Sequence, residues 1–246
     1  MDFNEDNWKY YQQFKLSKPN VEAYYDLVRT AFNKAVDQVG SDAKFTNAID
    51  LGCGSGELTK DLLQYANQVT GVDSSPELIN LAQQEADQNT LRFVLSDVLN
   101  PDMLSTLNTE KFELVTAAWL HNHLLNEEQQ RQLLKVILKL LEPAGFFVFL
   151  IPSSSFTSSR TQSFIAQLGW EQAWLEESLH FSRGVYSFAN SEWAEMNVWQ
   201  PMWLANVYQQ DFSVSFLDVK SISLKHGGMG DVLIEPPFDV MLGCRI

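Results

Sequence analysis

The sequence predicts an α/β fold built on a parallel sheet covered by helices on both faces. Two observations predict it. Short apolar runs alternate with longer helix-patterned runs across residues 47–152, as strand–helix–strand units do. Those apolar runs are nearly continuous, which marks strands buried on both faces rather than on one.

The elements follow in order. "VEAYYDLVRTAFNKAVDQV" (21–39) reads as one amphipathic helix. "AIDL" (48–51) is a buried strand that ends at a run of glycines. "ELTKDLLQYA" (57–66) is helical through Leu58, Leu62 and Tyr65, and "QVTGVD" (68–73) is the next strand. "PELINLAQQEA" (76–86) opens with Pro76 at a favoured first helical position, with Ser74 or Ser75 as its cap. "LRFVLSD" (91–97) and "FELVTAAW" (112–119) are the third and fourth strands. "NEEQQRQLLKVILKLL" (126–141) is an amphipathic helix with Leu133, Leu134, Ile137, Leu138 and Leu141 on one side. "EPAG" (142–145) breaks it, and "FFVFLIP" (146–152) is a fifth, fully apolar strand.

After residue 152 the character changes. "SSSFTSSRTQS" (153–163) is polar and loop-like, and an aromatic stretch follows with Trp170, Trp174, Trp193, Trp199 and Trp203. Strand character returns in "FSVSFLDVKSISL" (212–224) and "FDVMLGCRI" (238–246), with turns at "HGGMGD" and "EPP" between them. The expected organisation is an N-terminal helical segment (1–46) and a strand–helix core (47–152). An aromatic-rich insertion (153–210) and C-terminal strands that complete the sheet (211–246) follow.

Composition excludes several classes. The chain has 246 residues, 45% hydrophobic, enough for a large core. Its formal net charge of −14 repels phosphate backbones and anionic membranes. Neither nucleic acid nor membrane is therefore an expected partner. Cys53 and Cys244 are too isolated for a disulfide framework or a metal cluster. "MDFNEDNWKYYQQF" has no basic or apolar leader pattern, and the longest apolar run (145–151) is too short to span a bilayer. The expectation is a soluble, cytoplasmic protein.

Sheets of this kind bind ligands beyond the carboxyl ends of their strands. There, Asp50 ends a strand and Gly52, Gly54 and Gly56 follow at every second position. Glycine allows positive φ and close approach of a ligand to the backbone. The spacing is G-x-G-x-G, not the G-x-G-x-x-G that seats a pyrophosphate. An acid ahead of the loop suits an ammonium group better than a phosphate. A purely structural glycine turn has the same sequence. Asp73, at the end of the second strand, stands where ribose hydroxyls are bound, or caps the helix at Pro76. Asp97 follows the third strand and can accept from an exocyclic amine, or is a solvated loop acid.

Asp50-x-Gly52-x-Gly54-x-Gly56, Asp73 and Asp97, at these intervals, resemble the class I S-adenosylmethionine-dependent methyltransferases of the small-molecule type. The likeness covers about residues 45–152, continuing through "FELVTAAWLHNHLLNEEQQRQLLKVILKLLEPAGFFVFLIP". Glu142-Pro143-Ala144-Gly145 stands where members have Lys-Pro-Gly-Gly. "WQPMW" and "EPPFDVMLGCRI" look like their closing region, and "QQDFSVSFLDV" replaces the usual Ala-Gly-Phe before the sixth strand. The resemblance implies a Rossmann-like, doubly wound, seven-stranded sheet, mostly parallel with an antiparallel final strand, plus an aromatic-rich cap. It implies S-adenosyl-L-methionine as cofactor. The glycine loop would hold its methionine portion, Asp73 and Ser74 the ribose, and Asp97 with Val98 the adenine. Leu78 would pack on adenine or ribose, Ala117 and Ala118 would leave room for the sulfonium, and Tyr11 (or Tyr10) would close over the methionine end, or else anchor the terminus by apolar packing.

The expected function is methyl transfer to the O or N atom of a small aromatic or amine-bearing metabolite. Alternatives are a protein or tRNA methyltransferase and a non-catalytic S-adenosylmethionine-binding partner or sensor. His121 and His123, just past the fourth strand, are candidate bases for the acceptor, or else polar loop residues. "HNH" lacks the further ligands of a metal site. Trp119, Tyr186, Trp193 and Trp199 are candidate substrate-binding aromatics, against a simpler role in packing the cap.

Overall fold

The computed structural model describes residues 19–40, 43–87, 89–108, 110–167, 170–188, 194–225 and 236–246. Ten strands occur among them: β1 (Phe45–Leu51), β2 (Ala66–Asp73), β3 (Leu91–Leu95), β4 (Phe112–Ala118), β5 (Leu141–Pro152), β6 (Trp170–Glu177), β7 (Phe181–Phe188), β8 (Ala194–Trp199), β9 (Phe212–Phe216) and β10 (Phe238–Arg245). Seven of these form one sheet in the order β3-β2-β1-β4-β5-β10-β9. The first five run parallel. The chain's last strand, β10, runs antiparallel to both β5 and β9, so β9 is parallel to the rest. The predicted sheet, with its single reversed strand, is the one found.

Side chains of successive strand residues leave on opposite faces, and the core divides accordingly. On one face Ala48, Leu114 and Val148 join Leu27 and Phe32 of α1 (Pro19–Val39). On the other, Ile49, Val115 and Phe149 meet Leu133, Ile137 and Leu140. The second set comes from α5 (Glu127–Leu140), the fifth helix after α2 (Glu57–Asp61), α3 (Pro76–Gln83) and α4 (Met103–Thr106). This two-faced burial is why the strands read as continuous apolar runs.

Local chemistry sets the element ends. Ser75 caps α3: its hydroxyl accepts the Leu78 amide at 3.3 Å, and Pro76 takes the first helical position. The helical pattern at 57–66 is cut short. After α2 comes a 3₁₀ turn (Leu62–Gln64), because the Phe45 amide of β1 donates to Tyr65 O at 2.8 Å and draws the chain into the sheet. Glu142–Gly145 lies inside β5 as a bulge. Leu141 pairs with Phe112, the next paired residue is Phe146, and Ala144 between them has φ 60°.

The C-terminal segment differs from its strand reading. Only Phe212–Phe216 is strand, and α8 (Val219–Lys225) follows. The carboxylate of Asp218 accepts the Ser221 amide at 3.1 Å, as an N-cap does. Val219 and Ile222, three residues apart, then bury against α1. The β-branched residues there are outvoted by a cap and a helical spacing.

Between β5 and β9 lie α6 (Ser159–Gln167), the antiparallel meander β6-β7-β8 and α7 (Pro201–Tyr208). The meander is fastened to the loop after β4 by three donors on two carbonyls. Trp199 Nε1 donates to Leu124 O (2.9 Å), and Asn197 Nδ2 (2.9 Å) and Arg183 Nη2 (3.2 Å) donate to Leu125 O. The cap therefore stands over the carboxyl ends of β1, β2 and β4. Among the described residues no helix is long and apolar enough to cross a membrane.

Candidate functional site

The glycine loop takes its shape from backbone that other residues adopt only at a cost. Gly52, Gly54 and Gly56 have φ values of 72°, 55° and 83°. Their roles then part. A Cβ on Gly56 would lie 2.6 Å from Phe93 Cζ, so this glycine serves close packing. A Cβ on Gly54 would meet nothing within 4 Å among the described residues. Gly54 presents bare backbone to open space.

That space is bounded by the predicted acids. Asp50 is buried, and both its oxygens accept hydroxyl hydrogen bonds, from Thr59 at 2.6 Å and Thr116 at 2.7 Å. Burial pushes its pKa up, and the two hydroxyls oppose that shift. Asp73 accepts the Gly54 amide at 2.8 Å and the Ser75 amide at 2.9 Å, so it fixes both the loop and the start of α3. Asp97 accepts the Leu99 amide at 2.8 Å in an Asx turn. Burial, then the charges of Asp50 and Asp73, push the Cys53 thiol well up, which makes it an unreactive filler.

Two cavities open off this loop and a third adjoins them. One, of about 370 Å³, is bounded by Asp50, Gly52, Gly54, Ala118 and Trp119 and by Tyr25 and Arg29 of α1. Arg29 is also paired with Asp61. A second, of about 470 Å³, is bounded by Gly54, Asp73, Ser74, Leu78, Asp97 and Val98. The third, of about 210 Å³, lies under the cap between Trp119, Asn122, His123, Trp170 and Tyr186. They adjoin along shared walls: Gly52, Gly54 and Ala118 between the first two, His123, Trp170 and Tyr186 between the second and third.

The structure brings Asp50, Gly52, Gly54, Asp73, Ser74, Leu78, Asp97, Val98, Trp119, His123 and Tyr186 onto these walls. Four other expected site residues stand elsewhere. Gly56 packs, as above. Ala117 points into the opposite core face, and its neighbour Ala118 lines the cavities instead. Trp199 is fully buried, stacked on Trp203 at 4.8 Å, and anchors the cap through Leu124 O. His121 is fully buried between Phe149 and Tyr208. Gln130 Nε2 donates to His121 O (3.1 Å), which leaves Gln130 Oε1 to accept from His121 Nδ1 at 2.7 Å. Desolvation lowers this histidine's pKa to about 4, against a smaller upward pull from Gln130. Tyr11 and Trp193 lie outside the described residues.

His123 is the histidine at the cavities. It has exposed surface at their junction, with the Tyr186 ring centroid 6.4 Å from its own. Desolvation by the surrounding protein holds its pKa below the ordinary 6.5, and the Asp73 carboxylate partly opposes this. Sequence reasoning missed Tyr25, Asn122, Trp170 and Gln172. Strand alternation could have paired Trp170 with Gln172 had the β6 boundary been known. Among the described residues, no three His, Cys, Asp or Glu side chains gather as a metal site would need. A buried acid, a bare glycine backbone and a second acid around an open cavity suit an amino acid joined to a nucleoside.

Comparison with known proteins agrees. Residues 48–145 match the family model described as a methyltransferase domain. A protein of Geobacillus sp. (strain WCH70), provisionally named a methyltransferase, is 32% identical over 136 residues, 54% of this chain and 53% of its own. The ubiquinone biosynthesis O-methyltransferase of Coxiella burnetii (strain Dugway 5J108-111) is 28% identical over 115 residues, 46% of each chain. The chain thus spans about half the length of the curated relatives it matches. In fold it is similar to the N-methyltransferase NodS of Bradyrhizobium japonicum WM9, solved with S-adenosyl-L-homocysteine. That match has a TM-score of 0.54 and 16% identity, covering 98% of this chain and 92% of the other.

Proposed function

We propose that this chain, whose residues 48–145 match a methyltransferase-domain family model, is a class I S-adenosylmethionine-dependent methyltransferase that transfers a methyl group from S-adenosyl-L-methionine to an oxygen or nitrogen of a small molecule. The observation that carries this reading is the cradle at Gly54, whose backbone faces open cavity between Asp50 and Asp73. The residues fit the cofactor. Asp50 and the loop would take its ammonium end, and Asp73 and Ser74 its ribose hydroxyls. Leu78 and Val98 would wall the adenine, with Asp97 accepting from its amine. When bound, the cofactor supplies a methyl group already activated on a sulfonium.

The chain's own residues then position, dry and deprotonate. The cap, residues 153–210, acts as the lid that excludes water. His123 takes the proton of the acceptor on a ring nitrogen and becomes the imidazolium. Its depressed pKa keeps it neutral, and so able to accept, at neutral pH. The N-terminal segment closes the methionine end, with Tyr25 and Arg29 of α1 at its edge. The net charge of −14 and two isolated cysteines agree with work on small molecules in the cytoplasm.

Incubation with methyl-labelled cofactor and a fractionated cell extract tests this. Label should appear in a small-molecule fraction and fall by roughly 10²-fold in His123→Gln. Label in protein or tRNA would favour a macromolecular substrate. No transfer by a protein that binds S-adenosylhomocysteine would favour a sensor.

A further inference from the structure

We propose that the cavity under the cap receives a small, uncharged, single-ring aromatic alcohol, oriented by hydrogen bonds it donates to Asn122 and Gln172. This rests on the methyl-transfer reading above and narrows its substrate. Asn122 Oδ1 and Gln172 Oε1 are buried and have no hydrogen-bond partner among the described residues. Both residues line this one cavity. They arrive from separate elements: Asn122 from the 3₁₀ turn Leu120–His123, Gln172 from β6 of the cap, beside Tyr186 of β7. An acceptor left bare in a protein interior is costly, and most are paired. Two bare acceptors on one cavity call for a ligand that brings donors.

Donors narrow the chemistry. An ionised carboxylate or phosphate offers acceptors only, so it leaves both amide oxygens bare and adds a charge. Among the described residues no Lys, Arg, Asp or Glu lines the cavity. An ion entering it would lose its water with no opposite charge to compensate. A hydroxyl or a primary amide supplies what Asn122 and Gln172 lack.

The walls and the size supply the rest. Trp119, Phe156, Trp170 and Tyr186 surround the space, and Trp170 and Tyr186 lie 5.4 Å apart at 51°. Flat rings at such angles pack another ring by edge and face. The cavity measures about 210 Å³. An apolar cavity of about 150 Å³ admits benzene, so this one holds a single ring with one or two small substituents. A fused second ring overfills it. His123 stands where this cavity meets the one beside Asp73 and Gly54, which puts a proton acceptor at the ring's hydroxyl.

Calorimetry on the full chain saturated with S-adenosylhomocysteine tests the proposal through binding, apart from turnover. The probes are catechol, 4-hydroxybenzamide, 4-hydroxybenzoate and 6-hydroxy-2-naphthamide. Catechol and 4-hydroxybenzamide should bind at least about tenfold tighter than the anion and the two-ring probe. Gln172→Leu and Asn122→Leu should each weaken 4-hydroxybenzamide about tenfold, with S-adenosylhomocysteine affinity unchanged. Gln172→Glu keeps the side-chain shape should the leucine variants fail to fold. It should turn the preference toward 4-hydroxybenzylamine, whose ammonium can pair with the new carboxylate. Equal or tighter binding of the anion or the two-ring probe would overturn the proposal. So would unchanged affinities in all three variants, or no binding of either neutral probe to cofactor-product-loaded protein. A chain that does not bind S-adenosylhomocysteine defeats the methyl-transfer reading itself, a separately visible result.

Discussion

Replacing His121 with asparagine should flatten the acid limb of the stability curve and leave the site alone. The folded ring is neutral: its pKa is lowered from 6.5 to about 4 because protonation would put a charge between Phe149 and Tyr208. The unfolded ring titrates near 6.5 and so binds the proton first as pH falls. Stability therefore drops between about pH 6.5 and pH 4, where the unfolded state holds more protons. One pKa unit corresponds to about 1.36 kcal/mol, so this histidine alone costs about 2 kcal/mol at pH 5 relative to pH 7.5. Urea unfolding at the two pH values, in wild type and His121→Asn, isolates that contribution from the many surface carboxylates. The variant is less stable at pH 7.5, having lost the ring, but should lose about 2 kcal/mol less on acidification. S-adenosylhomocysteine should bind both proteins alike. Equal acid sensitivity would refute the neutral, buried ring, and abolished ligand binding would return His121 to the site.

Four further outcomes follow from named residues. Gly56→Ala should destabilise by about 3 kcal/mol, from left-handed backbone and a collision with Phe93, measured by urea unfolding. Gly54→Ala should cost only about 1–2 kcal/mol of stability yet weaken S-adenosylhomocysteine much more, because its methyl enters open cavity. If His123 is the base, kcat/KM rises with pH as its imidazolium loses a proton, with a midpoint below 6.5, and His123→Gln loses that limb. Trp199→Phe should lower stability by about 1–3 kcal/mol, by stranding Leu124 O, with ligand affinity unchanged.

What the sequence made legible follows from what burial does to a strand. β1, β2, β4 and β5 are covered on both faces, so they stand out as apolar runs, and the acids that follow β1, β2 and β3 fall at spacings that can be counted. Asp50, Asp73 and Asp97 were readable for that reason. α8 was not, because Val219 and Ile222 read as strand until Asp218 is seen to cap a helix. His121 and His123 were not separable. They sit two apart in a 3₁₀ segment with about three residues per turn, so they face different directions, and the segment's orientation is set by tertiary packing. Ala117 against Ala118 was a choice of strand face, fixed only once the cap shows which face is open. The cap's aromatic residues carry no period that tells Trp170, on the cavity, from Trp199, in the core.

The central claim is that the glycine loop, held by Asp73, seats an S-adenosyl cofactor. Isothermal titration of wild type and Asp73→Ala with S-adenosylhomocysteine tests it most directly, with thermal melts confirming that both are folded. The account predicts one site in the wild type. It predicts an affinity lower by roughly 10²-fold or more in the variant, which loses the carboxylate that fixes Gly54 and would accept the ribose hydroxyls. Absence of binding to the wild type, or equal affinity in a folded Asp73→Ala, would contradict it.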